Sequence, residues 1–282
     1  MRRLIIAIFV LFATSGCANI ITSATNRMTD NLSAAILNQD DPQTVKDGAP
    51  AYLLLIDSLI EGEPDNADML LAGSRLYGAY ASVFVDESGR ARRLTARSRA
   101  YAERAVCISH KALCAALTAP YDRFQASLQS TDRYDVPVLH GLATAWAGWI
   151  QAHSDDWQAV ADLPKVEALF ERVVELDEGH DGGRAHLYLG VLNTQLPPAL
   201  GGEPEVARAH FERAIELSEG RDLMTKVLFA RHYARLVFDR PLHDRLLQEV
   251  IDAEPRAPRL TLTNILAQRD ARRLLADAAD YF

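Results

Sequence analysis

A helical pattern that occurs twice constrains the fold of this chain more than any other feature. Phe170 and Phe211 each begin the sequence Phe-Glu-Arg-(Val/Ala)-(Val/Ile)-Glu-Leu, with apolar residues at three- and four-residue spacing. That spacing puts the apolar side chains on one face of an α-helix. In a tetratricopeptide-like hairpin, the large residue of such a helix packs among small residues of a neighbouring helix. We expect Gly190 to be the small residue against which the first copy packs. For the second copy, we expect Ala230 and Ala234 to be the small residues.

Helical signals also occupy the rest of the chain. Gly and Pro fall roughly every 15 to 25 residues, a pattern that marks helix ends. We therefore predict an all-α fold in which tetratricopeptide-like helical hairpins stack into a compact α-solenoid. The predicted helices are residues 20–38, 50–61, 66–85, 91–107, 119–129, 136–153, 163–177, 183–193, 203–217, 222–238, 241–252 and 259–279.

The two copies are further apart than one repeat. Their phenylalanines are 41 residues apart, whereas a tetratricopeptide repeat has about 34 residues. The excess lies in residues 193–205, which contain Pro-Pro-Ala-Leu-Gly-Gly. A long connection between regular repeats is a common place for function, although a tolerated insertion is the alternative. The candidate partner loop consists of Leu196, Pro197, Pro198, Leu200, Gly201 and Gly202.

The first residues have the order of an export signal. Residues 1–3 form a short positive segment with Arg2 and Arg3, residues 4–12 are apolar, and small residues precede Cys17. The apolar run is too short to span a bilayer of about 30 Å. We predict a lipoprotein signal peptide over residues 1–16 and acylation of Cys17, since two or more acyl chains hold a protein on a membrane stably. Thr14 stands where lipoprotein signals usually have Leu, and an ordinary secreted protein is the alternative.

Cleavage at Cys17 would divide the chain into a tether and a body. We predict a lipidated N-terminus and linker over residues 17–48, with a polar stretch at 38–48, and a helical domain over 49–282. No stretch after the signal is apolar and long enough to span a membrane. This organisation indicates a periplasmic protein, and Ala18 favours the outer membrane.

The charge of the chain excludes one class of function. After removal of the signal, 28 basic and 38 acidic residues leave a formal charge of −10. An acidic chain repels nucleic acid, so we expect no nucleic-acid partner.

Only two cysteines follow Cys17. In one straight helix, the Cα atoms of Cys107 and Cys114 would lie roughly 10 Å apart, and a disulfide needs less than about 7 Å. A disulfide therefore requires a helix break between them, with Ser109 as a candidate cap. Two buried thiols are the alternative.

Aromatic and very small residues alternate in two segments. Trp146 and Trp149 share a helix face within Gly-Leu-Ala-Thr-Ala-Trp-Ala-Gly-Trp-Ile. Tyr77 and Tyr80 have the same three-residue spacing among small residues earlier in the chain. Such a stripe is typical of core packing. The functional alternative is an apolar cavity that these four rings line, which would suit a hydrophobic ligand.

Catalytic patterns are weak throughout the chain. No Gly-rich phosphate loop, nucleophile elbow or His-x-x-x-His pair occurs. Asp177, Glu178, His180 and Asp181 are typical of a solvated turn rather than a metal site. We predict no enzymatic activity, no cofactor and no metal.

Four motifs together resemble one family, the TatT family, which is the T component of TRAP transport systems. The resemblance covers most of the mature chain and rests on Ala145-Trp146-Ala147-Gly148-Trp149-Ile150, Leu196-Pro197-Pro198-Ala199-Leu200-Gly201-Gly202, Ala209-His210-Phe211-Glu212-Arg213-Ala214 and Tyr233-Ala234-Arg235-Leu236-Val237-Phe238-Asp239-Arg240.

The resemblance implies a periplasmic lipoprotein that forms homotrimers and binds the solute-receptor subunit of a TRAP system. It also implies an apolar pore through which a hydrophobic ligand reaches that receptor, and no catalytic residues. Two other functions stay open: a tetratricopeptide lipoprotein that scaffolds envelope assembly, and an envelope hydrolase, which no group of residues supports.

Overall fold

The computed structural model describes residues 31–196 and 202–282, which confirm the all-α, solenoid-like prediction. No strand occurs in these two segments. Cys17, with the rest of the predicted signal and lipidation site, lies outside the described residues, and so do Pro197, Pro198, Leu200 and Gly201. After a helical segment at residues 31–37, the helices are α1 Pro42–Gly62, α2 Ala67–Phe84, α3 Ser88–Ser109, α4 Lys111–Ala116, α5 Tyr121–Leu128, α6 Val136–Ala152, α7 Trp157–Val160, α8 Leu163–Asp177, α9 Arg184–Leu192, α10 Pro204–Leu217, α11 Leu223–Leu228, α12 Arg240–Asp252, α13 Thr261–Ala276 and α14 Ala278–Tyr281.

The first long helix begins earlier than predicted. The Asp41 side chain accepts a hydrogen bond from the Gln43 amide at 3.0 Å, and Pro42 occupies the first turn, where its missing N–H costs nothing. Residues 42–48, which we predicted as part of a polar linker, are therefore helical. Val45 and Ala49 turn inward and are buried.

The helix that follows the first repeat copy packs differently from our expectation. The ring of Phe170 stacks on Tyr188, with centroids 4.6 Å apart, and Gly190 instead faces Phe211. A Cβ atom at Gly190 would lie 3.0 Å from the Phe211 ring, so glycine allows this close approach. The second expectation agrees with the structure, because Ala230 and Ala234 are buried in the same cluster as Phe211.

Two large apolar clusters form the core and meet at α9. One includes residues from α1 to α9, and the other includes residues from α9 to α13. A third, smaller cluster joins the two ends of the described chain, because Val45 of α1 packs with Leu262 and Leu266 of α13. Arg256 also pairs with Asp40 at 3.0 Å. The first and last hairpins of the solenoid therefore contact each other.

A helix break brings the two cysteines together. His110 separates α3 from α4, and its ring nitrogen accepts a hydrogen bond from the Leu113 amide at 3.2 Å. The Cα atoms of Cys107 and Cys114 lie 4.7 Å apart, and their sulfur atoms are bonded. The break is where we expected it, but the capping residue is His110 rather than Ser109.

No helix in the described ranges is long and apolar enough to cross a bilayer.

Candidate functional site

The connection between α9 and α10 carries the candidate partner loop, and its two ends are held together. The Asn193 side-chain amide donates to the carbonyl of Leu189 at 3.0 Å and to a carboxylate oxygen of Glu167 at 3.3 Å. The amide of Glu203 donates to the Asn193 carbonyl at 3.2 Å. The loop therefore begins and ends at one point on a rigid helical hairpin.

Apolar and acidic side chains surround this loop base. Leu196 and Val206 are both exposed. Burial raises the pKa of Glu167, and the negative charge of neighbouring Glu171 raises it further. Glu203 contributes in the same direction. The surface next to the loop thus combines exposed apolar side chains with negative charge.

The four predicted cavity residues lie on α2 and α6, which pack against each other and against α3. Tyr77 and Tyr101 donate their hydroxyl protons to the two carboxylate oxygens of Asp57, each at 2.7 Å, and Arg97 donates to the same carboxylate at 2.7 Å. Burial and the hydrogen bond to Asp57 raise the pKa of Tyr77 to about 12. Tyr80 is buried as well, under the guanidinium group of Arg90.

The two tryptophans enclose an arginine. The guanidinium carbon of Arg99 lies 4.3 Å from the ring centroid of Trp146 and 4.3 Å from that of Trp149. Stacking of a guanidinium group on an aromatic face is favourable, especially where water is excluded. Trp146 is fully buried and also contacts Phe124 edge to face.

Tyr77, Tyr80 and Trp146 are buried, and Trp149 is partly buried against the same apolar cluster. Each ring contacts side chains of other residues, and Asp57, Arg99 and Tyr101 are the partners that the sequence did not reveal. An apolar channel lined by Tyr77, Tyr80, Trp146 and Trp149 stays a prediction.

Two histidines that are 24 residues apart in sequence meet between α9 and α10. The Nδ1 atoms of His186 and His210 lie 2.8 Å apart, so one ring must donate a proton and the other must accept it. Burial, and then the neighbouring His186, lower the pKa of His210 to about 4. The pair is therefore neutral at neutral pH. Within the described ranges, no group of three or more His, Cys, Asp or Glu residues could hold a metal ion.

Comparison with known proteins assigns the chain to a family. The family model of the TRAP transporter T-component matches residues 38–282. The chain belongs to this T-component family. A relative from Treponema pallidum (strain Nichols), described as an uncharacterized protein, is 24% identical over 265 residues, which are 86% of this chain and 81% of that protein.

The match covers every helix from α1 to α14 of this T-component. It starts at residue 38, four residues before α1, and thus includes the stretch that sequence analysis assigned to the linker. The loop base, the Trp146–Arg99–Trp149 stack and the α9–α10 histidine pair all lie inside it. Membership of the family indicates an accessory role in TRAP transport in the cell envelope.

Proposed function

We propose that this T-component is a non-catalytic periplasmic lipoprotein that docks the solute receptor of a TRAP system at the end of the α9–α10 hairpin that carries residues 193–205. The observation that carries the proposal is the position of Leu196 and Val206, two exposed apolar side chains beside a loop whose ends are pinned by Asn193. Exposed apolar groups on a rigid scaffold favour binding because little conformational entropy is lost on association.

The finer parts of the proposal concern assembly and ligand. We propose a homotrimer held at the membrane through acylated Cys17. We also propose that a hydrophobic ligand reaches the receptor past the aromatic rings of α2 and α6, which pack against each other and against α3. The dense contacts around Trp146 mean that such passage requires the rings to move apart.

Co-purification tests the docking proposal. The tagged full-length chain, taken from envelopes in mild detergent, should recover a periplasmic solute receptor. Leu196→Ser should recover about fivefold less receptor, since the loss of one apolar contact at an interface costs about 1 kcal/mol. Leu54→Ser is the matched control, because Leu54 is more exposed (72% against 49%) but lies on α1.

Recovery of the receptor by wild type and Leu54→Ser, with a loss for Leu196→Ser, supports the proposed site. Recovery of only outer-membrane assembly or peptidoglycan proteins would contradict docking of a TRAP receptor. An equal loss for both variants would show that any exposed leucine affects recovery, and would contradict a site at the loop.

The lipid anchor has a separate test. Cys17→Ser removes the thiol that would be acylated, so the variant should incorporate no labelled palmitate and should leave the membrane fraction for the soluble fraction. One soluble domain without acyl chains has no strong membrane affinity. Membrane association that persists in Cys17→Ser would contradict anchoring at this residue.

A further inference from the structure

Phe238 has an unusual backbone conformation for an aromatic residue. It follows the helix that continues α11 through a π-helical turn at Phe229–Ala234, and its φ is +54°. The Asp239 amide donates to the Ala234 carbonyl at 2.8 Å, and the Phe238 amide donates to the Arg235 carbonyl at 3.2 Å. These bonds form a helix C-terminal motif in which glycine usually occupies the left-handed position, because a Cβ atom is strained there.

Burial of the Phe238 ring does not offset this strain. The side chain is 72% exposed, and its ring neighbours are Tyr281 and Phe282, at centroid distances of 6.1 and 6.4 Å. The other non-glycine residues with positive φ in the described part of the chain are polar: Asp181, Glu219 and Arg259. The left-handed conformation therefore strains Phe238, and folding gains little from burial of its ring.

Phe238 belongs to an exposed aromatic patch, which we define as Val237, Phe238 and Tyr281. Arg235 packs against one ring of the patch, since its guanidinium carbon lies 4.5 Å from the Tyr281 ring centroid. The Tyr281 hydroxyl also donates to the Arg235 carbonyl at 3.4 Å. Exposed apolar residues usually occur singly, whereas adjoining ones mark interaction sites.

The aromatic patch lies at the same end of the molecule as the start of α10. The hydroxyl of Tyr233, five residues before Phe238, donates to a carboxylate oxygen of Glu205 at 3.2 Å. Val206, which is exposed, comes directly after Glu205. The helix that ends in the patch therefore contacts the start of α10, where Val206 is exposed.

Acidic side chains lie next to the aromatic patch and at the start of α10. Glu203, Glu205 and Asp280 are exposed and form no ion pair with any residue whose position is described. Arg208 contacts Glu212 at 2.8 Å and Arg240 contacts Asp244 at 3.3 Å, so these two cations are paired. Arg235, against the Tyr281 ring, forms no ion pair with a described residue, so these residues include one unpaired cation against three carboxylates. A complementary partner surface would be apolar at its centre and basic at its rim.

We propose that the aromatic patch is the anchor of the docking surface, with Phe238 inserted into an apolar pocket of the solute receptor that is bordered by Lys or Arg. This inference rests on the proposed function and adds the residues and the partner chemistry. It accounts for the strain at Phe238, because a side chain that destabilises the free protein persists where binding uses it.

Calorimetric titration of the full-length chain in detergent with the purified solute receptor tests this inference. Phe238→Gly removes the ring and relieves the strain together. We expect at least tenfold weaker binding, with a thermal unfolding midpoint equal to or above that of wild type. Asparagine also tolerates the left-handed conformation, so Phe238→Asn should show the same weaker binding and the same unfolding midpoint as Phe238→Gly. Tyr134→Ser, which removes a 93% exposed ring outside the patch, should bind like wild type.

A salt series tests the charge complementarity. Raising the salt from about 0.05 M to about 0.5 M should weaken wild-type binding several-fold, since exposed charge pairs are screened over a Debye length of about 10 Å at 0.1 M. Salt-independent binding would overturn the basic rim.

The remaining outcomes separate this inference from the proposed function. If wild type binds the receptor and Phe238→Gly binds within twofold of it, the anchor is wrong and docking stands. If Phe238→Gly loses both binding and thermal stability, Phe238 supports the fold and the anchor is again wrong. If wild type does not bind, the proposed function fails and the anchor fails with it.

Discussion

Replacing Trp146 with alanine should lower the free energy of unfolding by about 3–5 kcal/mol, the range for large aromatic side chains in a core. Trp146 is fully buried between Phe124 and Arg99, so truncation leaves a cavity that α3, α5 and α6 can fill only in part. The Arg99 guanidinium group also loses one of its two aromatic faces. Urea denaturation followed by circular dichroism measures the change.

Trp157 provides the matched control for this experiment. It is 86% exposed, so Trp157→Ala should change the stability by no more than about 0.5 kcal/mol. Equal effects of the two substitutions would contradict the buried position of Trp146. Trp149→Ala separates packing from a channel: lower stability with unchanged ligand and receptor binding favours packing, and lost ligand binding at unchanged stability favours the channel.

Acidification from pH 6.5 to pH 5 should destabilise the protein, before most carboxylates titrate. Burial lowers the pKa of His140 to about 4, with Asp181 offsetting only part of the effect. Burial and then Arg231 lower the pKa of His232 to about 4. The pKa of His210 is likewise lowered to about 4, by burial and then by His186. An unfolded histidine has a pKa near 6.5, so the unfolded state binds more protons than the folded state in this window.

The sign follows from proton linkage. Stability rises with pH wherever the unfolded state binds more protons, so it falls as the pH is lowered from 6.5 and levels off near pH 4, where the folded state binds them too. Each histidine should contribute about 1–2 kcal/mol by pH 5. Urea midpoints at pH 7, 6 and 5 measure the loss.

Substitution identifies the groups responsible for this acid sensitivity. His232→Gln removes one titrating group and should reduce the pH dependence by about a third. Stability that is unchanged between pH 7 and pH 5 in wild type would contradict the burial of these imidazoles. An undiminished slope in His232→Gln would assign the effect to other groups.

The helical architecture could be predicted from the sequence because a helix face repeats every three to four residues. The Phe-Glu-Arg copies in α8 and α10 were recognisable on this basis. The start of α1 was not, since Pro50 suggested a helix boundary and only Val45 and Ala49 of the preceding turns are buried. The helix continues through Pro50 because tertiary contacts of its buried face outweigh the local preference.

Contacts between distant residues could not be read from the sequence. Asp57 joins Tyr77 and Tyr101, which are 20 and 44 residues away, and nothing in the local pattern around Asp57 indicates this. Arg99 lies in an arginine-rich helix, α3, and the sequence pattern of this helix predicts that its arginines face solvent. Sequence analysis identified Phe238 only as part of a motif that resembles the family. Neither its positive φ nor its exposure can be inferred from the order of the residues.

The central claim is that this T-component docks a TRAP solute receptor at the loop end of its α9–α10 hairpin. Titration of the purified full-length chain with that receptor tests it most directly. The account predicts saturable binding with a dissociation constant of about 1 μM or tighter, weakened at least tenfold by Phe238→Gly and unchanged by Tyr134→Ser. No saturable binding by the wild-type chain would contradict the account.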